Sequence, residues 1–296
     1  DCCLAIEAAW QTMSIRTQIL ERIERANDLP TLPSVAIKIS DLVNRHDSSA
    51  ADIACVMEHD PVLTARILKV ANSAAFGFSS PITSVQNAVA RLGIKNVRDL
   101  TLSLSVIRLF SNDGLLDYPR FWKHSLSVGF TSRVFNRFAE TGVAQPDALF
   151  AAGILHDIGV LLLDQYARTA YRRVVQRRQD DYRELQAVEL ECLGIDHAEL
   201  GSKLLERWNL PDLIVQAARC HHCPGEATPD ALRFCQVVHL ANFACNNQGV
   251  DNGLGTFPSG FSESAWYDVR LALEDVPDII THLNREMSKS ESLLAV

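Results

Sequence analysis

The sequence predicts an all-α protein. Three observations lead there: apolar residues recur at helical spacing through nearly the whole chain, strand signals are almost absent, and Pro, Gly, Ser and Asp fall where helices should start and stop. With 296 residues, 47% of them apolar, the chain can bury a substantial core as one large domain or two ordinary ones. A charged share of 22% is ordinary for a soluble globular protein.

The elements follow in order. Residues 15–26 place Ile15, Ile19, Leu20 and Ile23 on one helical face and end at Asn27-Asp28-Leu29-Pro30. Pro33 and Ser34 open a second helix, where a missing N–H and a hydroxyl are both tolerated. Ser49 can cap a short helix that stops before Pro61, and residues 62–72 form a longer one carrying Leu63, Ile67, Leu68 and Val70. After the loop AAFGFSSP, Ser84 caps a helix through Leu92, Gly93 ends it, and residues 97–109 form the next. The segment SNDGLLDYP reads as a boundary, dividing an N-terminal helical lobe (15–112) from a second helical lobe (113–290). Helices are then expected at 121–140, 147–166, 169–179, 182–193, 197–208, 211–220 and 229–246. A long loop, NNQGVDNGLGTFPSG, precedes a final helix from about Glu263 into the 280s, and the tail SKSESLLAV can fray.

Composition excludes some functions. The net charge of -8 argues against a phosphate-backbone binder, and the stretch Arg168, Arg172, Arg173, Arg177 and Arg178 reads as the solvated face of a helix. Eight cysteines over this length are no disulfide scaffold; Cys55, Cys192, Cys235 and Cys245 sit in apolar helical text, as buried thiols of a reducing cytosol would. No run of eighteen apolar residues and no secretory signal are seen, so the expected location is the cytoplasm, with no membrane partner. The start at Asp1 rather than Met leaves room for an upstream domain.

The chemistry is expected from His124 in FWKHS, His156 and Asp157 in LHDIG, His197 in DHAELG, and His221 and His222 in RCHHC. All lie on or beside helices in apolar text, so they should point inward. Adjacent positions on a helix differ by about 100°, close enough for His156 and Asp157 to reach one ion. Imidazole and carboxylate together suit Fe, Mn, Zn or Ni. An inward Asp needs a partner or a metal. His46, His59, His239 and His282 read instead as hydrogen-bonded core histidines. Cys220 and Cys223 have Cys-x-x-Cys spacing, but no second pair follows, so a structural zinc is not expected there.

These residues resemble the HD superfamily, and the segments LPTLPSVAIKISDLV, IACVMEHDPVLTARILKVANSAAFG, ITSVQNAVARLGIKNVRDL, FWKHSLSVG, AGILHDIGVLLL and ECLGIDHAELGSKLLERWNLP are similar in kind and order to its HD-related output domain (HDOD) subgroup. The resemblance covers Leu29 to the 280s. It implies a multi-helix HD-like bundle with an additional N-terminal helical lobe, used in bacterial signal transduction and often fused to other signalling domains. It also implies metal ligation by His124, His156, Asp157, His197, His221 and His222. Departures are visible: Arg120 stands where related enzymes carry an acidic ligand, Val160 where a Lys often follows, and Asn242 where the closing Asp of the superfamily is expected. The GYP signature of related cyclic di-GMP phosphodiesterases is absent. A mononuclear or empty site is the expectation, with any cofactor a divalent transition metal.

Three functions follow as alternatives. The first is a regulatory module that contacts a protein partner or fused signalling domain, with loop tips at 76–81 and 249–260 as contact points. The second is a metal-dependent phosphohydrolase acting on a nucleotide or cyclic dinucleotide. The third, nucleic-acid binding, rests on a superficial helix-turn-helix carrying Arg91, Lys95 and Arg98, and apolar text on both its helices argues for packing instead.

Overall fold

The computed structural model describes residues 14–285 apart from 27–28, 46–47, 74–75, 111–112, 141, 144, 147, 178–182, 256–259, 276 and 283. The expectations for His46, Arg178 and the tail SKSESLLAV lie outside the described residues. No strand occurs among the described residues, and the chain is all-α as expected.

Six helices form the N-terminal part: α1 (Ile15–Arg25), α2 (Ser34–Val43), α3 (Ala50–Met57), α4 (Pro61–Ala71), α5 (Val85–Leu92) and α6 (Ile94–Val106). Most starts are the expected ones, but α6 begins at Ile94, directly after Gly93, rather than at 97, and ends at Val106 rather than 109. Ser49 and Asp52 form a reciprocal capping box on α3, Asp60 caps α4 ahead of Pro61, and the Ser84 hydroxyl accepts from the Asn87 N–H. Gly93 (φ 84°) ends α5 in a backbone region that favours glycine. Helices α2 to α6 pack on one another; α1 packs instead on α9, and its Arg16 makes a two-pronged ion pair with Glu199.

The remaining helices are α7 (Tyr118–Phe138), α8 (Ala148–Leu155), α9 (Ile158–Tyr166), α10 (Arg168–Arg177), α11 (Leu185–Leu193), α12 (His197–Arg207), α13 (Asp212–Cys220), α14 (Leu232–Asn247) and α15 (Glu263–Val269). α8 is buried on all sides, between α7, α13, α14 and the N-terminal α6. The stretch Ala148–Tyr166 is on average long and apolar enough to cross a bilayer, although His156, Asp157 and Asp164 interrupt it, and 94% of it is buried within the fold. The expected single helix over this stretch is in fact two, broken at His156 and Asp157. The expected long last helix also breaks: Arg270 turns left-handed (φ 55°) after α15, a 3-10 turn follows at Leu273–Asp275, and α-helical residues resume at 277.

The helix-turn-helix resemblance is a packing unit. Residues 96–106 of α6 are buried apart from half-buried Arg98, Arg91 donates to the Ser80 carbonyl, and Arg98 pairs with Asp99. The apolar faces of both helices are turned into the fold and two of the three basic side chains are engaged within it, so a low-salt gel-shift with duplex DNA is expected to show no retardation. The cysteines divide: Cys220, Cys235 and Cys245 are buried, but Cys55 is exposed and Cys192 half-buried. Cys55 lies on the solvent face of α3, whose inward positions are Ile53, Ala54 and Met57.

Candidate metal centre

Two glycines let the centre form. A Cβ on Gly153 would sit 2.4 Å from the Gly129 Cα, and one on Gly159 would sit 1.9 Å from the His197 carbonyl oxygen. Their absence brings α8 against α7, and α9 against the start of α12. The residues between them, His156 and Asp157, occupy the turn from α8 to α9, with Asp157 at φ -97°, ψ 12°, a sparsely populated backbone region. Leaving the helix frees the Asp157 carboxylate from capping; it faces a ring of imidazoles.

Asp157 Oδ1 lies 3.2 Å from His221 Nε2, 3.3 Å from His197 Nε2 and 3.4 Å from His156 Nε2. Its Oδ2 lies 3.8 Å from His124 Nε2 and accepts from the Asn252 amide at 3.1 Å. His222 joins through its Nε2, 2.9 Å from His197 Nε2. The structure therefore brings all six sequence-derived residues together, in two groups that share Asp157. His124, His156, His197, His221 and Asp157 are at most 3% exposed, and His222 alone reaches partway to solvent.

The outward nitrogens decide what the inward ones can do. The Nδ1–H of His156 donates to the Gly153 carbonyl at 2.8 Å, that of His221 to Ala218 at 2.8 Å, and that of His124 to Val250 at 2.7 Å. With the proton on Nδ1, each Nε2 presents a lone pair inward. Burial holds His124 below its ordinary pKa and pushes His156 down to about 3, so these nitrogens stay unprotonated near neutral pH. His124 Nε2 and His156 Nε2 are buried without a hydrogen-bond partner. Unshared lone pairs around a buried carboxylate are the donor set that a divalent transition cation satisfies, so these residues fit such an ion.

His197 is shifted the other way. Burial alone would lower its pKa, but Glu189 and Asp157 outweigh burial and hold it well above the ordinary value. Glu189 Oε2 accepts the His197 Nδ1–H at 2.6 Å and the His197 backbone N–H at 2.9 Å, while Oε1 accepts the Tyr171 hydroxyl at 2.9 Å. Burial would raise Asp157, yet the histidines around it hold its carboxyl well below the ordinary range. His222 is driven well below its usual value by burial and by its neighbours His221 and His197.

The histidines read as structural have different fates. His239 is buried and bonded at both nitrogens, to the His221 carbonyl at 2.7 Å and the Ser262 N–H at 3.2 Å. His59 is exposed rather than core; its ring only turns back to the Cys55 carbonyl, at 2.9 Å. His282 is half-buried against Phe138.

The departures also have a structural meaning. Arg120 reaches away from the ring to pair with buried Asp251, whose other oxygen accepts from the Gly253 and Gly255 N–H groups. Asn242 bonds to Asn246, and the amide that reaches Asp157 is Asn252, from the loop after α14. Val160 is fully buried. Sequence reasoning missed Glu189, Asn252 and the Val250 carbonyl. Glu189 had a signal: it shares the inward stripe of α11 with Leu185 and Leu193, and a carboxylate at a core position needs partners. The loop contacts had none.

The sequence pattern of the HDOD domain matches residues 29–224. An uncharacterised protein of Treponema pallidum (strain Nichols) is 24% identical over 238 residues, 80% of this chain and 45% of that protein. The chain thus spans less than half the length of that relative. Among solved structures, an HDOD domain protein of unknown function from Geobacter sulfurreducens superposes with a TM-score of 0.72 at 24% identity, covering 93% of this chain and 95% of that one. A proposed phosphohydrolase from Shewanella amazonensis SB2B gives 0.68 at 24% identity, covering 92% and 97%. A proposed signal transduction protein from Marinobacter aquaeolei VT8 gives 0.69 at 22%, covering 94% and 65%. At these identities the likeness is one of fold.

Proposed function

The chain belongs to the HDOD domain family, and on that footing we propose that it is a regulatory signal-transduction module whose closed centre holds one divalent transition metal. The observation that carries this reading is the closure of the centre. A catalytic metal site keeps a position open to water and substrate, whereas a structural one is enclosed by its ligands. Here every ligand but His222 is buried, Asn252 covers one Asp157 oxygen, and the Arg120–Asp251 pair fixes the loop over it. The metal is Fe, Mn, Zn or Ni by donor type, with Asp157 the shared ligand of two donor groups, His124 and His156 on one side and His197, His221 and His222 on the other. When bound, such an ion links helices α7, α9, α12 and α13 through charge and coordination. The two lobes, 15–112 and 113–290, work as one unit, consistent with α1 bracing the start of α12 through Arg16 and Glu199. Contact with a protein partner is supported by Phe78 at one loop tip and Phe261 beside the other, 36% and 47% exposed. The expected location is the cytoplasm.

Elemental analysis of freshly purified protein, paired with a cyclic dinucleotide hydrolysis assay, tests the proposal. Stoichiometric metal, lost in His156→Ala, with no turnover is expected. Turnover that disappears in Asp157→Ala would sink the regulatory reading in favour of the second one, a metal-dependent phosphohydrolase. That reading draws on the same unshared Nε2 lone pairs of His124 and His156. In it the bound ion would supply activated water. His222 and Glu184, 3.5 Å apart and partly exposed, would then lie on the substrate's path inward.

A further inference from the structure

Away from the histidines, a cavity of about 310 Å³ lies between α1 and the junction of α9 with α10. Ile15, Ile19 and Tyr166 give it an apolar floor, and Thr169, Arg22 and Arg173 stand around it. Among the described residues, no carboxylate lines it. Several arginines around it are neutralised, Arg16 by Glu199, Arg25 by Glu21, Arg168 by Asp113 and Arg177 by Glu191, whereas Arg172 on the same helix points outside the cavity. Among the described residues, Arg22 and Arg173 have no such carboxylate partner, although the chain carries a net charge of -8. Two arginines from different helices thus flank an apolar cavity within the size range of small-molecule sites.

We propose that this cleft binds a small organic phosphate of the nucleoside monophosphate type. Planar guanidinium groups match phosphate oxygens in pairs, so Arg22 and Arg173 would hold the phosphate from opposite walls. The apolar body would rest on Ile15, Ile19 and Tyr166. Both walls lead to the histidine centre. Two residues before Arg173, Tyr171 points inward on the same helix and donates to Glu189, which holds His197. From α1, Arg16 grips Glu199, two residues beyond His197. A phosphate bridging α1 and α10 therefore draws together the two helices that support His197, as an effector site would.

Equilibrium dialysis of labelled AMP against metal-stripped protein tests this. Saturable binding of one equivalent is expected, weakening as salt rises. Arg22→Gln and Arg173→Gln should each weaken it roughly tenfold or more, the loss of one charge-assisted pair. Arg172→Gln, on the same helix but outside the cavity, should leave it unchanged. All three side chains belong to exposed residues, so thermal unfolding should not move in any variant. Absence of saturable binding at millimolar AMP overturns the proposal, as does binding indifferent to both cleft arginines. Binding lost in Asp157→Asn but kept in the arginine variants overturns it too, by assigning the nucleotide to the histidine centre. Inorganic phosphate competing as strongly as AMP would rule out the organic ligand.

Discussion

Replacing Asp157 by asparagine is expected to empty the metal centre. Asp157 is the carboxylate toward which four Nε2 atoms converge within 3.2–3.8 Å, and the other buried carboxylate nearby, Glu189, is turned to the far side of His197. Asparagine keeps the shape but offers a neutral amide oxygen, a weaker partner for a cation. Losing even an outer hydrogen-bond partner of a ligand costs about 10–100-fold in metal affinity, and a direct anionic ligand should cost more. The measurement is metal content after identical purification, with the melting temperature recorded before and after adding metal. Wild type at roughly a hundredfold excess over its Kd should gain about 2.7 kcal/mol, several degrees in melting temperature, and the variant should gain nothing. A variant that keeps stoichiometric metal would show that the imidazoles suffice and that Asp157 has another task.

Gly159→Ala is expected to damage both the fold and the centre. The added Cβ would lie 1.9 Å from the His197 carbonyl oxygen and 2.8 Å from the Gly201 backbone nitrogen, so two helices must separate and no flexible side chain can yield instead. Overpacking of this kind costs about 1–3 kcal/mol and more where backbone meets backbone, which lowers the melting temperature by roughly 5–10 °C. Because the clash falls on His197 itself, metal loading should fall with it. Gly225→Ala is the control: nothing lies within 4 Å of its Cβ position and its φ is ordinary, so it should be neutral. An unchanged melting temperature in Gly159→Ala would mean that α9 and α12 can slide apart freely, and the centre would then not be the rigid assembly described above.

Much of this architecture is legible in the residues. Ser49, Asp60 and Ser84 cap helices where local hydrogen bonding requires them to, because a cap depends only on the next three residues. The six centre residues stand out because histidine and aspartate in apolar text are costly unless paired. The break between α8 and α9 was not legible, since residues 147–166 are helical in pattern throughout. It is imposed by the pull of four imidazoles on Asp157 and by the contacts of Gly153 and Gly159. His59 misled in the opposite sense: it stands between Glu58 and Asp60 at the end of α3, and its position faces water.

Local patterns in the chain settle the all-α class, the caps at Ser49 and Ser84 and which six polar residues turn inward, because periodicity, capping and the cost of buried polar groups act over short stretches of chain. Only the tertiary structure decided that Glu189 holds His197, that Asn252 covers Asp157, that Arg120 turns away to Asp251, and that α1 crosses to form an arginine-flanked cleft with α10. Those relations join residues as much as 150 positions apart, such as Arg22 and Arg173. They are set by which helices can approach closely, a property of packed surfaces that no local pattern encodes.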